Sequence, residues 1–172
     1  IWDPAGRLLG PGENGEIVVR GSMVMRGYWG ADAGQDEAVS RHGWHHTGDI
    51  GRMGDAGYLY IVDRIRDVII TGAFNVFPSD VEQVLWGHPA VNDCAVIGVP
   101  DETWGEAVKA VVELKAGASA TEAELIALCK NKLGGVKAPK TVEFWPTLPR
   151  SDIGKVLKKE VRKRFWPEGR AI

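Results

Sequence analysis

The sequence predicts an α+β protein: a small Gly-rich β subdomain followed by a compact C-terminal domain with a three-stranded sheet, a hairpin and three helices. Three observations support this prediction. Glycines recur every few residues through residues 1–62, with one alternating apolar run among them. Strand-like and helix-like patterns then alternate from residue 67 onward. Between these regions lies a short charged segment, Asp63–Asp67, which is typical of a solvent-facing turn or of a boundary between packed units.

Residues 1–30 have the pattern of short antiparallel strands joined by tight turns. The alternating run is Glu16–Arg20, and the polar stretch Ala31–Ser40 predicts a short helix or a loop. Glycine is common at turns because it tolerates backbone conformations that other residues avoid. We therefore expect a small barrel or an edge sheet. The glycines that punctuate this region are Gly10, Gly12, Gly15, Gly21, Gly27 and Gly30.

The charged segment is flanked by two apolar runs that predict strands, Tyr58–Val62 and Val68–Thr71. Gly72 and Ala73 follow the second run. Their small side chains would let another backbone or a ligand approach closely. We therefore expect a tight, accessible turn at this point of the second region.

Three helices are predicted from their starting signals. The first has Ser79 as its N-cap, with Glu82 three residues later completing a capping box. The second begins at Thr121, with Glu124 in the same role, and the third starts after Gly154. Apolar runs between these helices predict the three strands of the sheet. Those strands are Val91–Val99, Ala107–Leu114 and Thr141–Trp145.

Composition excludes several classes of protein. The chain has 172 residues, a net charge of −2 and 44% hydrophobic residues, which suits one medium domain or two small ones without a general attraction to nucleic acid. No apolar run approaches the ~20 residues that cross a bilayer. The start, Ile1–Pro4, lacks the features of a signal peptide, and we interpret it as a cut inside a longer chain. Cys94 and Cys129 lie in apolar patterns, which predicts buried thiols and a cytoplasmic protein.

Basic charge is concentrated near the end of the chain. Residues 149–170 contain eight Lys and Arg against three Asp and Glu, whereas residues 1–62 contain five against eight. The basic stretch is either a solvated helix face or a cationic element that contacts phosphates. Both interpretations stay open at this point.

Histidines crowd around Trp44, at His42, His45 and His46. A zinc site is one interpretation of such a cluster. Neither Cys nor a carboxylate follows at the spacing that zinc sites show. We therefore predict that these histidines bind no metal.

Three motifs occur in order along the chain. Residues 43–49 read GWHHTGD, residues 63–78 read DRIRDVIITGAFNVFP, and residues 149–158 read PRSDIGKVLK. They resemble the W-x-x-T-G-D motif, the hinge segment and the P-R-x-x-x-G-K-x-x-K motif of the adenylate-forming acyl-CoA synthetases. The same superfamily includes luciferases and the adenylation domains of peptide synthetases. The resemblance covers nearly the whole chain and keeps the order and spacing of the family.

The resemblance implies a division of the chain into three parts. Residues 1–62 would be the last β-rich subdomain of a large N-terminal AMP-binding domain. Residues 63–66 would form a hinge. Residues 67–172 would be a mobile C-terminal domain that acts as a lid.

The resemblance also implies a reaction and its catalytic residue. Such an enzyme forms an acyl-adenylate from a carboxylic acid and ATP with Mg²⁺, and then transfers the acyl group to coenzyme A. A cation between the two reacting anions lowers their repulsion in the transition state. The resemblance assigns this catalytic role to Lys155. From the residues alone, Lys155 reads as one surface lysine among many.

Three further site assignments rest on the same resemblance. Asp49 and Arg64 would bind the ribose of ATP, since an ionised carboxylate offers two acceptors to a vicinal diol. From the residues alone, Asp49 reads as a turn aspartate bonded to nearby backbone. Arg66 would be the hinge residue, where the family usually has Asp or Lys. Lys is common there among acyl- and aryl-CoA ligases, so a cation favours that branch. Gly72 and Ala73 would face the pantetheine arm of coenzyme A.

Two alternatives stay open beside a ligase for a fatty or aryl acid. One is an adenylation domain that loads a carrier protein. The other is a noncatalytic module whose basic stretch binds phosphate-rich or protein partners. The family's phosphate-binding loop, a Ser/Thr/Gly-rich run ending near a Pro-Lys pair, is not found in the sequence. We therefore expect the main ATP site and the acyl pocket to lie outside this chain.

Overall fold

The computed structural model describes residues 1–25 and 43–166. Predictions that concern Gly27, Gly30, Ala31–Ser40 and His42 lie outside these residues. The chain divides into two compact units, Ile1–Arg66 and Asp67–Ile172. The family domains assigned to these regions, and the hinge action of residues 63–66, stay predictions.

The first unit contains a three-stranded antiparallel sheet in the order β1-β2-β3. β1 (Gly15–Val19) coincides with the alternating run of the sequence and buries Ile17. β2 (His45–Met53) and β3 (Leu59–Arg64) form a hairpin. A Cβ atom added at Gly51 would lie 2.7 Å from Cδ1 of Ile17, so the glycine lets β1 and β2 pack closely.

The second unit is built on a five-stranded sheet of β4 (Ile69–Thr71), β5 (Phe74–Val76), β6 (Val91–Asp101), β7 (Gly105–Leu114) and β8 (Thr141–Phe144). The strand order is β5-β4-β7-β6, with β8 also paired to β7. The three strands predicted for this sheet are β6, β7 and β8. β4 and β5 form a hairpin, which extends the same sheet because Thr71 pairs with Gly105 of β7. β8 runs parallel to β7, whereas the other pairs are antiparallel.

Helices cover both faces of this sheet. They are α1 (Pro78–Trp86), α2 (Glu122–Leu133) and α3 (Lys158–Lys163). Successive residues of a strand point to opposite faces. Cys94 and Val96 of β6 pack with α1 and α2, whereas Ala95 and Ile97 pack with Val161 of α3. The α+β class is confirmed. No helix in the described ranges is long and apolar enough to span a bilayer.

The start of α1 differs from the prediction. Ser79 is not the N-cap, because the helix begins at Pro78 and Phe77 occupies the capping position without a side-chain bond. Proline suits the first turn, where its fixed φ fits and its missing N–H costs no helical bond. Glu82 is also not a cap. Its buried carboxylate accepts a backbone N–H of β6 and contacts Lys158 Nζ at 2.8 Å.

The start of α2 agrees with the prediction. The Thr121 hydroxyl accepts the Glu124 N–H at 3.2 Å, and the Glu124 carboxylate accepts the Thr121 N–H at 2.8 Å. The backbone and side-chain bonds from Thr121 hold the pKa of Glu124 below its usual value. The capping box is therefore confirmed.

Both cysteines are buried free thiols, as predicted. Burial raises the pKa of Cys94, and it raises the pKa of Cys129 to about 11. Only the thiolate is nucleophilic, so both side chains act as packing residues at neutral pH.

Candidate functional site

Asp49 and Arg64 lie opposite each other on the β2–β3 hairpin. They are register partners, and Arg64 Nε is 3.6 Å from Asp49 Oδ1. The side chains are 36% exposed for Asp49 and 58% exposed for Arg64. Both groups are therefore accessible to a ligand. An ion pair this open to water contributes little to the stability of the fold.

Asp49 lies within strand β2 and not in a turn, and Thr47 holds the preceding residues at a point where the β1–β2 register shifts. Its hydroxyl donates to the Ile17 carbonyl at 2.8 Å and accepts the Asp49 N–H at 3.1 Å. Gly48 has a φ of +72°, a conformation that glycine adopts without strain. The Thr47 hydroxyl thus forms the local bond to the backbone, while the Asp49 carboxylate contacts Arg64.

The histidine-rich stretch belongs to an aromatic cluster. The rings of Trp2 and Trp44 are 5.1 Å apart, and Arg20 lies over the Trp44 ring at 5.2 Å. His46 Nδ1 is 2.7 Å from Glu16 Oε2. These contacts fasten the N-terminal segment to the sheet. Across residues 1–25 and 43–166, no three or more His, Cys, Asp or Glu side chains are grouped to hold a metal ion.

The boundary between the units falls within one turn of 3-10 helix, Ile65–Asp67. Arg66 is exposed in the middle of this turn. The next residue, Asp67, accepts a hydrogen bond from Arg162 of α3 at 2.8 Å. Arg66 is therefore followed directly by a residue that is tied into the second unit.

The turn between β4 and β5 consists of Gly72 and Ala73. Gly72 has a φ of +58°, and its N–H donates to the Trp104 carbonyl at 2.8 Å. A Cβ atom at Gly72 would lie 2.8 Å from Trp104 Cε3, so both the conformation and the space require glycine. Ala73 is exposed, and a methyl group is accommodated there.

Trp104 is a residue that the sequence reasoning missed. The residue is 52% exposed, and its ring lies against the Gly72 turn. The Asp101 carboxylate accepts the N–H groups of Thr103 and Trp104, both at 2.9 Å, and this shapes the connection between β6 and β7. The sequence did offer one signal for this residue, which is a large aromatic side chain within the short polar connection between β6 and β7.

Lys155 is exposed on a small loop between β8 and α3. The Gly154 N–H donates to the Ser151 carbonyl at 2.8 Å, and the Ser151 N–H donates to the Lys155 carbonyl at 2.8 Å. Gly154 has a φ of +82°, which completes the turn. The loop backbone is therefore internally bonded, while the ammonium group reaches solvent.

The structure thus brings Asp49 and Arg64 together in the first unit. Gly72 and Ala73 form one turn of the second unit, and Lys155 lies on a different loop of that unit. The second unit therefore presents a cation and a glycine turn on separate loops.

Comparison with known proteins identifies the family. Residues 80–155 match the family described as the AMP-binding enzyme C-terminal domain. Feruloyl-CoA synthase of an Amycolatopsis species is 49% identical over 162 residues, which cover 94% of this chain and 33% of that protein. The chain belongs to the family of adenylate-forming, AMP-binding enzymes. The resemblance carried by the three motifs is confirmed.

Two further members of the adenylate-forming family show the same relation. A medium/long-chain-fatty-acid–CoA ligase of Mycobacterium tuberculosis is 46% identical over 180 residues, which cover 100% of this chain and 31% of that protein. The crystal structure of ATP-bound MatB from Rhodopseudomonas palustris matches with a TM-score of 0.87 at 36% identity, covering 97% of this chain and 33% of that one. The chain therefore spans about a third of the length of the relatives it matches.

Proposed function

We propose that this chain is the C-terminal third of an acid–thiol ligase. The enzyme forms an acyl-adenylate from ATP and a carboxylic acid, and transfers the acyl group to coenzyme A. The proposal rests on the 49% and 46% identity, over nearly the whole chain, to two proteins named as a CoA synthase and a CoA ligase. One is named for an aryl acyl group and the other for fatty acids, so the proposed substrate is a fatty or aryl acid. Free buried thiols favour a cytoplasmic location.

In the first half-reaction, a carboxylate oxygen attacks the α-phosphorus of ATP and pyrophosphate leaves. Both reactants are anions, so a positioned cation stabilises the transition state more than the separated reactants. We assign this role to Lys155, whose ammonium is exposed on an internally bonded loop. Mg²⁺ enters with the phosphates of ATP, and no residue of this chain is assigned to it.

Asp49 and Arg64 are proposed to hold the ribose. The carboxylate of Asp49 can accept hydrogen bonds from both ribose hydroxyls at once. The long 3.6 Å contact to Arg64 leaves acceptor positions of the carboxylate available. The guanidinium would lie beside the sugar.

The Asp49→Ala variant of the full-length enzyme is expected to bind ATP about 10- to 100-fold more weakly, the scale for losing hydrogen bonds to a charged group. Part of that loss should vanish with 2′,3′-dideoxy-ATP, which lacks the hydroxyls. Titration of both nucleotides against both proteins measures the difference. Asp55→Ala, an exposed aspartate in the turn of the same hairpin, is the matched control. An equal loss with both nucleotides would remove the ribose role.

In the second half-reaction, the thiol of coenzyme A attacks the adenylate carbonyl and AMP leaves. We propose that the second unit rotates about Arg66 between the two steps, which withdraws Lys155. The same rotation would bring Gly72 and Ala73 to the pantetheine arm. The absence of a side chain at Gly72 and the apolar ring of Trp104 beside it offer a narrow surface suited to a thin, flexible chain.

Formation of AMP and an acyl thioester by the full-length protein tests the proposed function. Fatty and aryl acids are supplied with MgATP and either coenzyme A or a phosphopantetheinyl carrier protein. Acyl-CoA as the main product supports the ligase, and product only with the carrier favours an adenylation domain. Absence of acid-dependent pyrophosphate exchange with every acid would favour the noncatalytic module.

The 172-residue chain alone is expected to fold but to show negligible acid-dependent ATP–pyrophosphate exchange. The physical reason is that the sequence lacks the Ser/Thr/Gly-rich phosphate loop of the family. The exchange assay is run on equal molar amounts of the chain and of the full-length protein, with circular dichroism to establish folding. Robust exchange from the chain alone would overturn the assignment of the ATP site to another part of the protein.

A further inference from the structure

The loop that carries Lys155 is a narrow hairpin whose two sides are joined by backbone bonds. Arg150 and Val156 form an antiparallel bridge, and the Leu157 N–H donates to the Pro149 carbonyl at 2.8 Å. These bonds set the shape of the loop. They do not set its direction relative to the sheet, because all of them lie within residues 149–157. Whatever orients Lys155 must therefore connect the hairpin to another element.

The Arg150 side chain makes the polar part of that connection, beside the apolar packing of Val156 against the core. Its Nη1 is 2.7 Å from Asp93 Oδ2 on β6, and its Nη2 is 3.3 Å from Glu113 Oε2 on β7. The same Nη1 lies 3.3 Å from the carbonyl oxygen of Gly154, the residue directly before Lys155. One rigid guanidinium thus links two strands of the sheet to the tip of the loop. The fixed fork of arginine suits such a three-way contact, which a single ammonium reproduces poorly.

The carboxylates of Asp93 and Glu113 form a preorganised binding site for this guanidinium. Asp93 and Glu113 are register partners on adjacent strands, where like charges repel unless a cation lies between them. Asp93 also accepts Trp86 Nε1 at 3.0 Å, and Glu113 also accepts the Leu148 N–H at 2.8 Å. Their orientations are therefore fixed by contacts that do not involve Arg150.

The ionisation of both carboxylates agrees with this arrangement. Burial raises the pKa of Asp93, but hydrogen bonds from Arg150 and other donors outweigh it and hold the pKa below its usual value. The Leu148 N–H lowers the pKa of Glu113, and Arg150 lowers it further against the effect of burial. Both partners of Arg150 are therefore charged at neutral pH.

We propose that Arg150 is a positioning residue for adenylation, which fixes the direction of the Lys155 loop by joining it to Asp93 and Glu113. The inference rests on the proposed function, because it assumes that Lys155 acts in the first half-reaction. The cation would then be held in place before substrate binds. Misplacement of a catalytic group by about 1 Å can cost on the order of 10²-fold in rate.

The test measures both half-reactions of the full-length enzyme. Arg150→Met keeps the aliphatic stem and removes the charge. We expect adenylation kcat to fall about 10- to 100-fold with the KM for ATP nearly unchanged. Thioester formation from supplied acyl-adenylate should stay near the wild-type rate. Lys163→Met removes a cation from an exposed pair with Glu160 and is the matched control, expected to leave both rates unchanged.

A second variant covers the case in which Arg150→Met fails to fold. Arg150→Lys keeps a positive charge between the carboxylates, and we expect its melting temperature to stay close to that of the wild type. A lysine ammonium lacks the fork that reaches Asp93, Glu113 and the loop carbonyl together. Its adenylation rate should therefore fall, by less than in the methionine variant.

The double variant with Lys155→Ala separates this inference from the proposed function. If Arg150 acts through Lys155, the two residues act as a unit. Removing Arg150 from the Lys155→Ala variant should then lower the adenylation rate by less than about 3-fold further. Full additivity would overturn the inference, as would wild-type adenylation in both Arg150 variants or equal loss in both half-reactions. If Lys155→Ala itself leaves adenylation intact, the proposed role of Lys155 fails instead.

Discussion

Replacing Lys155 with alanine in the full-length enzyme is expected to lower the rate of adenylation by about 10²–10³-fold, the scale for losing one preorganised electrostatic contact. The ammonium is exposed on its loop, so its removal should not disturb the packing of the second unit. Acid-dependent ATP–pyrophosphate exchange measures the adenylation step. The melting temperature should change little, and this separates the effect from unfolding.

The effect of Lys155→Ala should be confined to one half-reaction. The cation is needed while a carboxylate approaches a phosphate, since that step brings two anions together. Attack of a thiol on the adenylate carbonyl does not form a bond to phosphorus. Acyl transfer from supplied acyl-adenylate to coenzyme A should therefore survive in the variant.

Lys159→Ala is the matched control, because Lys159 is an exposed lysine four residues further along the same basic stretch. It should retain both half-reactions. A loss shared between Lys155→Ala and Lys159→Ala would point to the overall charge of the stretch. Equal losses in both half-reactions of Lys155→Ala would mean that the residue is structural or serves both steps.

Local signals in the sequence predicted local structure well. The capping box of Thr121 and Glu124 is complete within four residues, and it forms as predicted. The similar pattern at Ser79 and Glu82 fails, because Glu82 finds partners on β6 and at Lys158, distant in sequence. A capping pattern in the sequence therefore predicts a capping box only where the carboxylate is not bound by residues that are distant in sequence.

The candidate site shows the same difference between local patterns and distant contacts. Motifs with fixed spacing led to the assignment of Asp49, Arg64, Gly72 and Lys155. The contact of Gly72 with Trp104 and the orientation of the Lys155 loop depend on residues 32 or more positions apart in sequence. Strand pairing creates these contacts, and no local pattern encodes them.

Replacing Arg66 with proline in the full-length enzyme is expected to separate the two half-reactions. Arg66 lies in one turn of 3-10 helix, where φ values are about −50 to −70°. Proline fixes φ near −65°, within that range, and it also disfavours the helical conformation of the preceding residue, Ile65. The variant should therefore keep one arrangement of the units and resist the other. We expect pyrophosphate exchange to continue and acyl transfer from supplied adenylate to coenzyme A to be lost, because the proposed second step depends on the rotation.

Arg66→Ala is the control for this prediction, because it removes the side chain and leaves φ and ψ free. It should support both half-reactions. The melting temperature of Arg66→Pro should stay close to the wild-type value, since the residue is exposed between the two compact units. An ordinary surface residue would give a different result: both rates at the wild-type level, or both falling together with stability. Either outcome, or an Arg66→Ala variant that loses acyl transfer as completely as the proline variant, would contradict a backbone hinge at Arg66.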